Sequence, residues 1–131
     1  MTRKKLKAGK KTFIECASPA NSYAVVFEDD TETGYFYALD NALDDPILDA
    51  VHIYNVDSIA DREIPSIISI VWNQQGDRAG LLINDYPHAV FDFAECRGYC
   101  RNDFPTPSKG WGENHAWSDD VYTGLLKETE T

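Results

Sequence analysis

Apolar and polar residues follow a hairpin-like pattern in residues 70–93, where two polar clusters separate three short apolar runs. The clusters are residues 73–77, with the sequence NQQGD, and residues 84–87, with the sequence NDYP. Short apolar runs divided at this spacing are typical of β-strands joined by tight turns. We therefore predict a three-stranded antiparallel meander in this part of the chain.

A second hairpin is predicted nearer the N-terminus. Apolar side chains alternate in residues 23–28, and the pattern resumes in residues 34–39 after an acidic loop. Residues 47–54 are predicted to form a further strand, for which no partner is assigned. The polar residues 57–63 favour a loop or one helical turn, and Pro65 is suited to the start of the strand that follows it.

The last third of the chain has a different character. Residues 95–110 contain the glycines, prolines and charges of a long irregular connection. Ser118 is a suitable helix N-cap, because acidic residues follow it directly and Lys127 lies near the opposite end of the predicted helix. An order of mostly strands with one late helix predicts a β-rich α+β fold, in which hairpins form a twisted antiparallel sheet and a C-terminal helix packs on it.

Composition favours a single folded domain. The chain has 131 residues, of which 43% are hydrophobic and 12% aromatic, so it can bury enough apolar surface to offset its ordering entropy. We assign residues 12–131 to one globular domain.

Charge is distributed unevenly along the chain. Six of the twelve Lys and Arg residues lie in the first eleven positions, and all 22 Asp and Glu residues follow them, which leaves the rest of the chain at −16. An acidic body repels phosphate backbones and attracts basic proteins, so we expect no nucleic-acid partner. We predict that residues 1–11 form a disordered basic tail.

Targeting signals are not recognisable in the sequence. The basic start is not followed by an apolar stretch of signal-peptide length, and no segment has the length of a membrane-spanning helix. We therefore expect a cytoplasmic protein that does not bind membranes.

Three residues form a candidate enzyme or ligand site. On a strand, His88 and Asp92 project to the same side, beside whichever strand carries Arg78. A His–carboxylate pair can transfer protons. In the alternative interpretation His88 is packed in the sheet, since a two-residue turn at residues 84–85 would place it opposite Leu81. The packed interpretation is favoured, because no nucleophile can be placed beside the pair.

The cysteines allow two interpretations. Cys96 and Cys100, with His115 and His88, supply the soft and borderline ligands that zinc prefers, although their spacing matches no strong zinc-finger pattern. An odd number of cysteines without an export signal favours reduced, partly buried thiols instead. We expect no metal or other cofactor.

Two acidic clusters near tyrosines form the last candidate surface. Clustered carboxylates can hold a hard cation, and hairpin tips are often charged simply because they are solvated. Aromatic side chains next to charges are also typical of protein-binding surfaces, unless the tyrosines pack within the sheet. The residues that we assign to a partner-binding surface are Glu28, Asp29, Asp30, Glu32, Tyr35, Tyr37, Asp44, Asp45 and Tyr54.

Three segments resemble a small bacterial family catalogued as a domain of unknown function. They are residues 23–30 (YAVVFEDD), 33–40 (TGYFYALD) and 83–93 (INDYPHAVFDF). The similarity extends over most of the chain, from Phe13 to Trp117. It implies a bacterial, single-domain, cytoplasmic protein, and no catalytic or ligand residue is carried over from it.

These observations predict a non-enzymatic binding module that engages a basic protein partner, as an immunity protein or an antitoxin does. A homodimer is compatible with the sequence. Two alternatives stay open: a small enzyme or ligand-binding domain that uses His88, Asp92 and Arg78, and a structural module stabilised by zinc.

Overall fold

The computed structural model describes residues 2–60, 63–101 and 111, together with the backbone of residues 115 and 116. Within these ranges the chain forms ten strands and one turn of 3-10 helix, η1 (Val56–Ser58). The strands are β1 (Thr2–Leu6), β2 (Thr12–Ala17), β3 (Tyr23–Asp29), β4 (Thr33–Asp40), β5 (Ile47–Asn55), β6 (Ser66–Trp72), β7 (Arg78–Ile83), β8 (Tyr86–Asp92), β9 (Arg97–Cys100) and β10 (His115–Ala116).

The strands form two sheets. Strands β2-β3-β4-β5 make a four-stranded antiparallel meander, and β1-β6-β7-β8-β9-β10 make a six-stranded sheet. All pairs are antiparallel except β10, which runs parallel to β9. The chain thus begins in the six-stranded sheet, builds the four-stranded sheet, and then returns to complete the first.

The predicted fold class is wrong. The described residues are almost entirely β, they form two sheets where one was expected, and they include no α-helix. The helix predicted to begin at Ser118 lies outside the described residues. Among the described residues, no helix reaches the length and hydropathy needed to cross a membrane.

The hairpin predictions are confirmed. The predicted meander is β6-β7-β8, and the predicted N-terminal hairpin is β3-β4. Strand β5, which had no assigned partner, pairs with β4. The short strand β9 lies within residues 95–110, which were predicted to be irregular. Its four residues are too few to show an alternating pattern.

The core lies where the inner faces of the two sheets meet. Phe27 and Phe36 of the four-stranded sheet are fully buried, as are Leu81 and Phe91 of the six-stranded sheet. Phe36 stacks on Phe91 with a centroid distance of 5.0 Å, which joins the two sheets directly. Alternation along each strand then sends the neighbouring side chains to the outer faces.

The basic N-terminal segment belongs to the six-stranded sheet. Although we expected residues 1–11 to be disordered, β1 pairs with β6 from Thr2 opposite Ile70 to Leu6 opposite Ser66. Leu6 is 4% exposed and packs in the core, so it anchors this strand. Because lysines surround Leu6 in the sequence, the segment was predicted as a charged tail. The lysines of β1 lie on the edge strand, where such charges discourage pairing with another chain.

A tight turn followed by a bulge shapes the β7-β8 hairpin. Asn84 and Asp85 have φ values of 53° and 64°, as a two-residue type I′ turn requires. The register then shifts, so that Leu81 pairs with Ala89. The expectation that His88 lies opposite Leu81 is therefore wrong, because His88 occupies the bulge.

Candidate functional site

A row of four side chains crosses the outer face of the four-stranded sheet. Phe13 pairs with Glu28, Glu28 with Tyr35, and Tyr35 with His52, so each strand of this sheet contributes one residue. They lie on the outer face because their neighbours along the strands point into the core. Together with Tyr37, the next outward residue of β4, these residues are called the tyrosine face.

The rings of the tyrosine face are held in fixed orientations. Tyr35 stacks on His52 at a centroid distance of 4.7 Å and an interplanar angle of 14°, and on Tyr37 at 5.9 Å and 17°. The His52 Nε2 donates a hydrogen bond to the Tyr54 carbonyl oxygen at 3.0 Å. The Tyr37 hydroxyl donates to Glu28 Oε1 at 3.3 Å. A ligand that meets these rings therefore finds them already ordered.

Charge and exposure give the tyrosine face a mixed character. Burial, together with the negative charge of Glu28, raises the pKa of Tyr37 to about 12, so its hydroxyl stays protonated and keeps donating at neutral pH. Phe13 is 59% exposed and forms an apolar rim, and the exposed Glu15 lies two residues further along β2. The surface thus offers aromatic rings beside carboxylates.

Asp29 does not lie on this surface, although the sequence assigns it to the partner-binding residues. Its side chain is fully buried. One carboxylate oxygen accepts hydrogen bonds from the Gly9 backbone N–H at 2.8 Å and from the Tyr54 hydroxyl at 2.6 Å. The other accepts one from the Thr31 N–H at 2.8 Å. Asp29 therefore ties the β1-β2 turn, the β3-β4 turn and β5 together.

Tyr54 is also turned away from the tyrosine face. A register shift between Gly34 and Tyr35 places Tyr54 over Gly34, where an added Cβ would lie 2.5 Å from the ring. The ring packs near Phe27, at a centroid distance of 6.1 Å. Burial, reinforced by the hydrogen bond to Asp29, raises the pKa of Tyr54. Its hydroxyl is thus committed to the interior and is not available to a partner at this face.

Asp30 is exposed, but its carboxylate already accepts hydrogen bonds from residues of its own turn. Its Oδ1 accepts hydrogen bonds from the N–H of Glu32 at 3.0 Å and of Thr33 at 2.8 Å, and the Thr33 hydroxyl also donates to it. These hydrogen bonds, that of Thr33 first, lower the pKa of Asp30. Of the predicted acidic residues at this hairpin, Glu28 and Glu32 are the ones left to meet a partner.

The second acidic cluster, formed by Asp40, Asp44, Asp45 and Asp49 around the β4-β5 connection, also contains both exposed and occupied carboxylates. Asp40 accepts from the Ser22 hydroxyl at 2.5 Å and from the Ala42 N–H at 3.0 Å. Asp49 is 2% exposed, and burial raises its pKa. Asp44 and Asp45 are exposed in the β4-β5 connection, at the opposite end of β4 from the β3-β4 turn. Within the described ranges, no group of His, Cys, Asp and Glu side chains is placed to hold a metal ion.

Two of the proposed zinc ligands lie in different environments. Cys96 is exposed in a turn, whereas Cys100 is buried in the core and donates to the His52 carbonyl oxygen at 3.7 Å. Both are free thiols, as is the half-buried Cys16. The side chain of His115 lies outside the described residues.

The three candidate catalytic residues do not converge. Arg78 and Asp92 face each other across β7 and β8, and the Arg78 Nε donates to Asp92 Oδ2 at 3.1 Å. The bulge separates His88 from this pair, because it turns the imidazole toward a cavity that the core residues Leu6 and Ile53 also line. Arg78 and Asp92 therefore form an ion pair with each other, while His88 lies at the cavity.

The cavity beside His88 has a volume of about 320 Å³ and is lined by residues of both sheets. Its apolar lining residues are Leu6, Ala8, Ile53, Ile59, Ile64 and Ile83. Its polar lining residues are Tyr54, Ser66 and His88. We call it the His88 cavity. Since its lining residues come from distant parts of the chain, no local sequence pattern predicts this cavity.

We expect His88 to titrate below the ordinary histidine pKa of about 6.5. Burial, and then the positive charge of Arg101, lowers its pKa. The unfolded chain then binds a proton at a higher pH than the folded protein, so His88 should make stability fall as the pH drops below about 6.5. An NMR titration of the imidazole C–H signals measures the pKa. A midpoint at or above about 6.5 would contradict the described environment.

A second cavity, of about 410 Å³, lies between the edge strands β1 and β2. Five lysines line it, and we call it the lysine groove: Lys4, Lys5, Lys7, Lys10 and Lys11. Phe13 borders it and thereby separates the basic groove from the tyrosine face. The protein therefore presents a basic and an acidic aromatic surface at the same edge.

Comparisons with known proteins identify relatives without assigning an activity. The chain is 54% identical over 88 residues to an uncharacterised protein of Haemophilus influenzae. The match covers 65% of this chain and 53% of that protein, so the chain spans about half the length of the curated relative that it matches. No solved structure matches the chain.

The resemblance to a bacterial family is confirmed by a family model that matches residues 6–126. The matched range includes the tyrosine face, the lysine groove from Leu6 onward, and the walls of the His88 cavity. The chain belongs to the family described as "Uncharacterized protein conserved in bacteria (DUF2251)".

Proposed function

We propose that this protein is a binding module whose tyrosine face engages an arginine- or lysine-bearing segment of another protein. The observation that carries the proposal is the stack of Tyr37, Tyr35 and His52 beside the carboxylate of Glu28 on an outer sheet face. Aromatic ring faces attract guanidinium and ammonium groups, and a carboxylate pairs with them directly. The same small surface offers both interactions.

Pre-ordered side chains support this proposal energetically. The rings of Tyr35, Tyr37 and His52 stand on neighbouring strands and are fixed by stacking and by hydrogen bonds. A partner therefore has to immobilise few side chains on binding, which removes part of the usual entropic cost. The net charge of −16 beyond residue 11 adds long-range attraction for a basic protein.

The enzyme alternative is weaker than the binding proposal for a geometric reason. It requires His88, Asp92 and Arg78 to meet at one place, and the bulge in β8 separates the imidazole from the ion pair. A general base has to reach its substrate and its orienting group together. The described residues offer no such constellation around His88.

A short basic peptide tests the chemistry of the tyrosine face. We expect acetylated triarginine amide to shift the backbone amide NMR signals of Glu28, Tyr35 and His52 during a titration. Tyr35→Ala should weaken this binding by about tenfold, which corresponds to the loss of one cation–π contact. Glu28→Gln should weaken it as well, while keeping an acceptor for the Tyr37 hydroxyl and so sparing the fold.

Tyr86→Ala is the matched control for this titration. Tyr86 is a 55% exposed tyrosine of the other sheet, and Arg101 already lies 4.3 Å from its ring centroid. Its replacement should leave the affinity for triarginine unchanged. If the shifted signals cluster instead at Asp44 and Asp45, or if Tyr35→Ala binds as well as the unaltered protein, the proposal fails.

Self-association has to be measured beside the titration. The lysine groove of a second copy is itself a basic surface, so two copies can compete with the peptide for the tyrosine face. Sedimentation velocity over a range of protein concentrations and salt shows whether this occurs. If the protein self-associates, and if this self-association is lost both in high salt and in Tyr35→Ala, then the basic partner of the tyrosine face is a second copy of the chain.

A further inference from the structure

We propose that the His88 cavity is a binding site for a small, neutral organic molecule with an apolar body and one hydroxyl or carbonyl group. The cavity has a volume of about 320 Å³, which lies at the small end of the range for ligand pockets. Both sheets contribute to its walls, through Leu6 and Ile53 among others. This site is separate from the tyrosine face, and its ligand is of a different chemical class.

The lining of the cavity sets the charge of the ligand. None of its nine described lining residues is Lys, Arg, Asp or Glu, although 26% of the chain is charged. Six of them are aliphatic. An ion that entered would lose hydration and meet no counter-charge among these nine residues, whereas a neutral apolar molecule would gain by leaving water.

Hydrogen bonding sets where the polar group of the ligand lies. The Tyr54 hydroxyl donates to Asp29 at 2.6 Å, and the Ser66 hydroxyl oxygen accepts a hydrogen bond from the Asn84 Nδ2 at 3.4 Å. No described residue forms a hydrogen bond with either ring nitrogen of His88. The imidazole, which offers both a donor and an acceptor, is thus the main polar group that a ligand can satisfy, beside the Ser66 O–H.

The protonation state of His88 suits a neutral ligand. Burial and Arg101 lower its pKa, so the ring is neutral at physiological pH, with one N–H donor and one acceptor nitrogen. A ligand hydroxyl can donate to the acceptor nitrogen, and a ligand carbonyl can accept from the N–H. Neither arrangement requires a charge to be buried.

The backbone around His88 explains how the ring comes to face the cavity. His88 lies in the bulge of β8, and β-bulges re-aim side chains near binding sites. The His88 carbonyl oxygen accepts a hydrogen bond from the Arg101 N–H at 3.0 Å, and the ring meets that of Tyr86 edge-on at 5.6 Å. The Tyr86 ring therefore packs against the imidazole, while the Arg101 hydrogen bond fixes the backbone of His88.

Two fluorinated probes test the site. In a titration followed by ¹⁹F and amide NMR, we expect 4-fluorophenol to bind saturably, in the roughly millimolar range expected for so small a molecule. The shifted amides should lie around the cavity, at Ile53, Ile83 and His88. Fluorobenzene, which lacks the hydroxyl, should bind about three- to tenfold more weakly, because one hydrogen bond is lost.

His88→Phe separates the hydrogen bond from the apolar contact. In this variant the two probes should bind equally well, whereas His52→Phe, the matched change on the tyrosine face, should keep the preference for 4-fluorophenol. If His88→Phe fails to fold, His88→Gln retains a donor and an acceptor and should keep part of the preference. No saturable binding to the unaltered protein, or an undiminished preference in His88→Phe, would overturn the proposal.

Discussion

Replacing Phe91 by alanine should lower the free energy of unfolding by about 3–5 kcal/mol, as expected for a large core side chain replaced by a methyl group. Phe91 is fully buried and stacks on Phe36 of the opposite sheet at 5.0 Å. It also meets the edges of the Phe93 and Trp111 rings at 6.4 Å and 6.0 Å. Its loss would leave a cavity at the point where the two sheets are joined.

Urea unfolding followed by circular dichroism measures this effect, with Phe13→Ala as the control. Phe13 is also a phenylalanine on a strand, but it is 59% exposed, so its removal should cost about 0.5 kcal/mol or less. Similar losses in the two variants would mean that the core has been assigned to the wrong face of the sheets.

Replacing Asp29 by alanine should cost about 2–4 kcal/mol, because it leaves buried donors without an acceptor. The Gly9 N–H, the Thr31 N–H and the Tyr54 hydroxyl all donate to this carboxylate. Their loss would uncouple two turns from strand β5. The midpoint of urea unfolding should therefore fall strongly, and the triarginine affinity of the folded protein should change little.

The neighbouring carboxylate provides the control. Asp30 lies in the same acidic cluster of the sequence, but it is exposed and accepts hydrogen bonds only from the next few residues. Asp30→Ala should therefore destabilise the protein less than Asp29→Ala. Equal losses would show that Asp29 does not connect the elements described. Because Asp30 accepts hydrogen bonds that hold its own turn, a charge change there would also disturb the fold. Glu28 is therefore the better position for a charge change that tests the tyrosine face.

The strands were predictable where the information is local. Alternation of apolar residues and the turn residues Asn84 and Asp85 lie within one hairpin, so both hairpins could be located from a short window. Sheet membership depends on contacts between distant residues. The pairing of Thr2 with Ile70 places the N-terminal strand beside β6, and no local pattern contains that contact.

The sequence predicted some residues of the tyrosine face. Bulges explain why other side chains project to a different side of the sheet than predicted. Strict alternation places His52 and Tyr54 on the same side of β5, but a register shift turns Tyr54 toward Gly34 and the core. The shift in β8 likewise moves His88 away from Asp92. A one-residue bulge reverses the side on which every later residue projects, and a single sequence does not reveal where it occurs.

Phe13 and His52 belong to the tyrosine face but were not among the predicted partner-binding residues. Their roles depend on the register that sets Phe13 opposite Glu28 and Tyr35 opposite His52. With the β3-β4 hairpin recognised, the alternating apolar residues of β2 were the sequence pattern that could have placed Phe13 on a neighbouring strand. The basic tail was predicted to end at residue 11, so Phe13 was placed in the domain but in no strand.

The most direct test of the binding proposal is a comparative pull-down from a bacterium that carries this protein, with the captured partner then purified. The tagged protein should retain a basic protein at low salt and release it at high salt. Tyr35→Ala should lose the same protein, whereas Tyr86→Ala should retain it, and the purified pair should reproduce this order of affinities. Capture of no basic protein under either condition, or equal capture by Tyr35→Ala, would contradict the assignment of the tyrosine face as the binding surface.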